Sequence, residues 1–287
     1  MEVTFWGVRG SIPAPGPGTI RYGGNTSCVS VRTAENALLI LDCGTGARNL
    51  GLALLAEDSP DRFASGGGEA AILLSHAHWD HIQGFPFFGP LYVPGNTFWI
   101  YGPAESSALL EGILEGQMAP QYFPVQTLKN MGARIDIAAM TAGQPREILG
   151  CVVKTALNPH GRAGAMAFRI EQGERSVVYA SDAGYGPGGP APDVLALYRG
   201  ADLLIHDSTY TPADRLRYPE RGLASVVEAA AAAIRAGVRK LALFHYDQDY
   251  SDTDVDALVE HARREIGAAG ATSIEVCGAA EGSTLTV

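Results

Sequence analysis

The densest group of side chains able to do chemistry is the run Ser75-His76-Ala77-His78-Trp79-Asp80-His81, where three imidazoles and a carboxylate fall within six residues. Imidazole with carboxylate suits zinc, manganese or iron. In an extended turn His76 and His78 point to the same side and can grip one metal. Asp80 and His81, next along a tightening turn, can face a second metal close by. At the His and Asp frequencies of this chain such a pattern arises by accident in roughly a few per ten thousand sequences, so a polar loop with incidental histidines is a poor alternative.

Three more candidates stand where buried strands are expected to end. They are His160 in Asn158-Pro159-His160-Gly161, Asp182 in Ala180-Ser181-Asp182-Ala183-Gly184, and His245 at the end of Leu241-Ala242-Leu243-Phe244-His245. Layered folds present their sites at such strand ends. Singly, each reads as a turn residue or a hydrogen-bonded histidine. Together with the first run they use five of the seven histidines. Two metals need more ligands than that run supplies, so all three are read as ligands. A pair of divalent cations, zinc first and manganese or iron as alternatives, is the expected cofactor. Two cations about 3.5–4 Å apart can share a water and lower its pKa towards neutrality. The resulting hydroxide, held near Asp182, would attack phosphorus or a carbonyl carbon.

The elements that must position these groups are mostly short strands. Apolar or alternating runs at residues 3–8, 26–33, 37–41, 70–74, 98–101, 134–138, 151–156, 166–171, 177–180, 203–205 and 241–244 are bounded by turn residues. A helix is expected over residues 47–57, after Asp42-Cys43-Gly44-Thr45-Gly46. Another starts at the cap Ser225 and stops at Gly237, and a third starts near Ser251 or Asp252 with Val255, Leu258, Val259, Ala262 and Ile266 on its apolar face. Strands with interspersed helices give an α/β class with sheets covered by helices. Periodicity takes the topology no further. Residues 210–222, with Arg215, Arg217, Arg221 and two prolines, read as a mobile surface loop.

Composition narrows the function. A hydrophobic share of 46% supports a sizeable core. With no linker of disordered composition, residues 1–287 are expected to form a single domain. No apolar run reaches the length of a membrane span, and no basic-then-apolar start signals secretion, so a cytoplasmic protein with no membrane partner is expected. Four scattered cysteines exclude a disulfide scaffold. A net charge of −10 argues against nucleic acid as a partner. A local basic strip of Arg9, Arg21, Arg48 and Arg162 is the one arrangement that would oppose this.

From Val3 to Val287 the chain resembles the metallo-β-lactamase-fold hydrolases. That likeness implies an αββα sandwich of two mixed sheets flanked by helices, with metals at one edge. It assigns His76, His78 and His160 to one metal and Asp80, His81 and His245 to the other, with Asp182 bridging. Asp42 matches an acidic residue that orients the ligand loop; otherwise it is a helix cap. The stretches Phe5-Trp6-Gly7-Val8-Arg9-Gly10-Ser11-Ile12-Pro13, Arg21-Tyr22-Gly23-Gly24-Asn25-Thr26-Ser27 and Ile205-His206-Asp207-Ser208-Thr209-Tyr210 are similar to the phosphodiesterase branch, which includes ribonuclease Z and cyclic phosphodiesterases. The branch implies a small or cyclic anionic phosphodiester substrate, cleaved with Asp80, Asp182 and Asp207 in catalytic roles. Asp207 would carry a proton to the leaving oxygen, and His206 would be a packed neighbour. By analogy a homodimer is expected. One departure stands out: Ala224 occupies the place where relatives carry a histidine. Either His206, Tyr210 or Arg221 compensates, or the substrate differs, which keeps open a carbonyl substrate such as a lactone, thioester or amide. Ribonuclease Z itself is disfavoured by the acidic charge and the lack of a basic, Gly/Pro-rich arm. A di-iron protein is disfavoured by His78, where redox relatives carry glutamate.

Overall fold

The computed structural model describes residues 1–57, 59–124 and 127–287. In chain order the elements are β1 (Glu2–Gly7), β2 (Cys28–Arg32), β3 (Leu38–Leu41), α1 (Ala47–Leu54), β4 (Glu69–Leu73), α2 (Trp79–Ile82), β5 (Thr97–Pro103), α3 (Ser107–Gly116) and β6 (Arg134–Met140). There follow β7 (Arg146–Ile148), β8 (Cys151–Asn158), β9 (Ala165–Gln172), β10 (Arg175–Ala180), α4 (Pro192–Tyr198), β11 (Leu203–Asp207) and α5 (Pro212–Arg217). The chain ends with α6 (Val226–Ala236), β12 (Lys240–Phe244), α7 (Asp252–Ala268), β13 (Glu275–Gly278) and β14 (Thr284–Thr286).

The strands form two sheets, ordered β14-β1-β2-β3-β4-β5-β6 and β13-β12-β11-β10-β9-β8-β7. Both are mixed. In the first, β14, β1, β2 and β3 pair antiparallel and β3 to β6 pair parallel. In the second, β10 to β13 are parallel and β7 to β10 antiparallel.

Side-chain alternation explains the layering. Leu39 and Leu41 of β3, with Ala71 and Leu73 of β4, join Val153, Phe168 and Val177 of the second sheet in one core. Leu38, Ile40, Ala70 and Ile72, one residue out of step, pack outward with Leu50 and Leu54 of α1 and Leu110 and Leu114 of α3. Strands buried on both faces read as continuous apolar runs, as residues 38–41 and 70–73 do. On the far side α4, α6 and α7 cover the second sheet through Val194, Ala229, Ala233, Val255 and Leu258. This is the αββα sandwich of two mixed sheets that the resemblance implied.

Both long helices are capped as their sequences require. Ser225 and Glu228 form a reciprocal capping box at the start of α6, which ends at Gly237 in the left-handed conformation (φ 63°). Ser251 and Asp254 do the same for α7. Three expectations need correction. Residues 210–222 are not an irregular loop: Thr211 caps α5 and Pro212 takes its first position, and a 3₁₀ turn follows at Pro219–Arg221. Helix α1 stops at Leu54, not residue 57. Helices α3 and α4 were not anticipated, nor were β7 and β14, edge strands whose three residues carry almost no periodic signal. Among the described residues no helix is long and apolar enough to cross a membrane.

Candidate metal centre

The site lies where the parallel strands of both sheets end. β4 leads through Leu74 and Ser75 into His76 and the turn to α2, β8 leads to His160, β10 to Asp182, β11 to Asp207 and β12 to His245. Three residues directly or almost directly after strands, Asp42, Asp182 and His245, hold positive φ values of 58°, 52° and 61°. Such backbone costs about 1–3 kcal/mol for a non-glycine residue. It turns the chain sharply at the strand end and aims each side chain across the gap between the sheets.

All seven expected ligands converge. Three groups have donor atoms within 4.8 Å of one another: His76 with His78 and His160, His76 with His81 and Asp182, and Asp80 with His81 and His245. Asp182 faces both ways. Its Oδ1 lies 3.5 Å from His160 Nε2, and its Oδ2 lies 3.1 Å from His81 Nε2 and 3.4 Å from His245 Nε2. Asp80 Oδ2 is 3.2 Å from both His81 Nε2 and His245 Nε2. Ser11, itself at φ 65°, donates its backbone N–H to the same oxygen at 2.8 Å.

Four of the five imidazoles have one nitrogen fixed from outside. His81 Nδ1–H donates to Asp42 Oδ2 at 2.7 Å, and His160 Nδ1–H to the Gly222 carbonyl at 3.0 Å. His245 Nδ1–H donates to Thr209 Oγ1 at 3.1 Å. Ser75 gives its single hydroxyl proton to Asp42 Oδ2 (2.7 Å), so its oxygen accepts from His76 Nδ1–H (3.0 Å). In each case Nε2 is the nitrogen left facing inward. The fifth, His78, is exposed, and its Nδ1 meets His160 Nε2 at 3.0 Å. Enclosed Nε2 atoms of His76 and His81 make no hydrogen bond at all. His81 Nε2 has carboxylate oxygens at 3.1 and 3.2 Å without a well-aligned bond to either. Inward lone pairs with outer nitrogens tethered are the arrangement a metal site requires, and these residues fit a pair of divalent cations.

Charge is balanced within the cluster. Burial disfavours the Asp182 and Asp80 carboxylates, but the surrounding imidazoles outweigh it and hold both well below the ordinary range. Burial likewise disfavours the His245 imidazolium, yet Asp182 and Asp80 outweigh it and push it up to about 9. His81 is raised in the same way, burial being overcome by Asp80, Asp42 and Asp182. His76 is lowered by burial and by neighbouring imidazoles.

Asp42 is not a helix cap; the residue before α1 is Gly46, with no side-chain cap. Its carboxylate accepts from the Ser75 N–H (2.6 Å), the Ser75 hydroxyl, His81 Nδ1–H and the Tyr179 hydroxyl (2.7 Å), tying β3, the ligand loop and β10 together. The proton-donor role expected for Asp207 does not fit the geometry. Asp207 is fully buried; its Oδ2 accepts from the N–H groups of Ala183 and Ala224, and its Oδ1 from the N–H and hydroxyl of Thr209. It steadies Thr209 and hence His245, and does not line the cavity. His206 is packed, with Tyr185 at 2.8 Å from Nε2. At the departure expected for Ala224, the side chain facing the cavity is Leu223, while Ala224 is buried with its N–H on Asp207.

His78, Asp80, His160, Asp182 and His245 line a cavity of about 640 Å³ whose rim includes Ile12, Trp79, Arg221 and Leu223. Trp79 and Ile12 are 77% and 57% exposed. The basic strip does not form: Arg9 is fully buried and donates to the carbonyls of Gly23 (2.8 Å), Asp247 (3.1 Å) and Tyr250 (2.6 Å), and Arg21 is paired with Asp256. Sequence reasoning missed Tyr179, Thr209 and Gly10. Thr209 carried a signal, standing two residues after Asp207; Tyr179 carried none. A Cβ on Gly10 would come within 2.4 Å of the His245 ring, so this glycine lets the N-terminal loop close over the site.

Residues 38–246 match the beta-lactamase superfamily domain. The chain is similar to a ribonuclease Z of Methanothermobacter thermautotrophicus, 25% identical with 92% of each chain covered. It is also similar to a ribonuclease Z of Mycobacterium bovis, 29% identical with 86% of each covered. Among solved structures, the metallo-beta-lactamase fold protein YhfI of Bacillus subtilis superposes with a TM-score of 0.69 over 99% of this chain and 98% of its own, at 22% identity.

Proposed function

The chain belongs to the beta-lactamase superfamily, a family of metal-dependent hydrolases, and from that premise we propose that it hydrolyses small or cyclic phosphodiesters at the centre formed by His76, His78, Asp80, His81, His160, Asp182 and His245. One observation carries this reading. Five imidazoles and two carboxylates turn inward around a shared space, with the outer nitrogens of four imidazoles tethered. His76, His78 and His160 would hold one cation, Asp80, His81 and His245 the other, and Asp182 offers one oxygen to each side. Such cations supply Lewis acidity to phosphoryl oxygens and make water nucleophilic at neutral pH.

The chain's own residues set the geometry. Asp42 and Thr209 fix two imidazoles, the Ser11 N–H holds Asp80, and the buried strand ends exclude solvent from all but the cavity side. With Asp207 fully engaged as an acceptor, the leaving oxygen faces an open cavity and takes its proton from water. Esters with good leaving groups should therefore be the better substrates. A panel of bis-p-nitrophenyl phosphate, a thioester, a lactone and a β-lactam tests the reading, using metal-loaded protein and a chelated control. Turnover of the carbonyl substrates alone would overturn it.

The relatives named ribonuclease Z support a second reading, an RNA substrate. The net charge of −10 and the burial of Arg9 weigh against it. Affinity for transfer RNA that falls steeply between low and high salt would favour it.

A further inference from the structure

Arg221 is the only lysine or arginine lining the cavity among the described residues. Its setting is built. The guanidinium stands 4.5 Å from the centre of the Tyr218 ring, and its Nη1 donates to the Tyr210 hydroxyl at 3.2 Å. Stacking and one hydrogen bond restrict a side chain that would otherwise lose much rotamer entropy on binding. No other hydrogen bond from this guanidinium is made within the protein among the described residues, so Nη2 and Nε remain for a ligand. The next residue, Gly222, takes the left-handed conformation (φ 65°) and gives its carbonyl to His160. Arg221 is therefore anchored one residue from a metal-centre contact.

The surroundings make a cation here informative. The protein is acidic overall, with a net charge of −10. A negatively charged substrate meets an unfavourable long-range field and needs local positive charge. A neutral thioester or lactone gains less from a guanidinium than an anion does. We propose that Arg221 is the residue that selects anionic substrates, binding a non-bridging phosphoryl oxygen through its free N–H groups while the rest of the ester occupies the cavity. This rests on the phosphodiesterase reading and adds to it the residue that recognises the diester's negative charge.

The test compares wild type, Arg221→Met and Arg221→Lys, all metal-loaded and checked for equal metal content. Two readouts are used: KM and kcat on bis-p-nitrophenyl phosphate, and calorimetric binding of dimethyl phosphate. Arg221→Met should raise KM and the Kd for dimethyl phosphate about ten- to hundredfold, with kcat changed less than about threefold. Arg221→Lys should recover part of this, since it keeps the charge and loses the fork. The KM of Arg221→Met should fall as ionic strength rises, because salt screens the unfavourable field, and the wild-type KM should fall less, because salt also screens the attraction to Arg221. Unchanged KM and Kd in Arg221→Met, with an active wild type, would overturn the proposal and leave the phosphodiesterase reading intact. A wild type that cleaves no phosphodiester would instead remove that reading, and this one with it.

Discussion

The two sides of the metal centre are held very differently. On one side His81 and His245 are fully enclosed and tethered to Asp42 and Thr209, and Asp80 accepts the Ser11 N–H. On the other, His78 is exposed and among the described residues has no partner beyond His160, which hangs on one carbonyl of a short surface segment. His81 lies in the core away from the cavity, and His245 and Asp80 reach it from enclosed positions, whereas the exposed His78 stands in its wall. One side should therefore govern stability and metal retention, and the other the entry of metal and substrate.

The largest effect should come from the residue that spans both. Asp182→Ala removes the carboxylate that serves each side and should lower turnover by roughly 10³-fold or more, read by steady-state kinetics beside metal analysis. Full activity with undiminished metal would end the account of the centre. Asp42→Ala and His78→Ala then set the sides against each other. Asp42→Ala leaves four buried donors without their acceptor and should cost about 3–5 kcal/mol in urea unfolding, with about 10–100-fold weaker metal binding. His78→Ala should change stability in the metal-free state by less than about 0.5 kcal/mol while reducing the metal content. Equal destabilisation by the two variants would break the comparison.

pH sharpens it further. In metal-free protein His245 titrates near 9, above its unfolded value near 6.5. Its contribution is fully present below about pH 6.5 and disappears as pH rises through about 9, roughly 3 kcal/mol in all. Thermal melts in chelator between pH 6 and 10 should show this decline, and metal-loaded protein, where a cation replaces the proton, should not. The smallest effect is expected for Thr209→Val, which loses the tether of one imidazole: about tenfold in metal affinity, measured by competition with a chromogenic chelator.

Much of the centre could be read before any coordinates, because four ligands sit in one six-residue run and three more follow apolar stretches that could only be buried strands. The supports could not. Tyr179 reaches Asp42 across 137 residues, and nothing local to either hints at the pairing. Arg9 was read as part of a surface basic strip, yet it is enclosed because three backbone carbonyls converge on it. Residues 210–222 were read as loop from their charges and prolines, although Thr211 followed by Pro212 is itself a helix-start signal. Asp207 lay in a motif whose implied role required a free oxygen, and only the fold reveals that both are taken.

Trp79 stands between His78 and Asp80 with 77% of its surface in water, while Trp6 and Trp99 are partly shielded, Trp6 with its indole N–H on Ser30. The molecule thus carries a built-in optical reporter at its working end. Iodide should quench this one indole first, and whatever fills the cavity should protect it, so occupancy can be followed by fluorescence without attaching a dye.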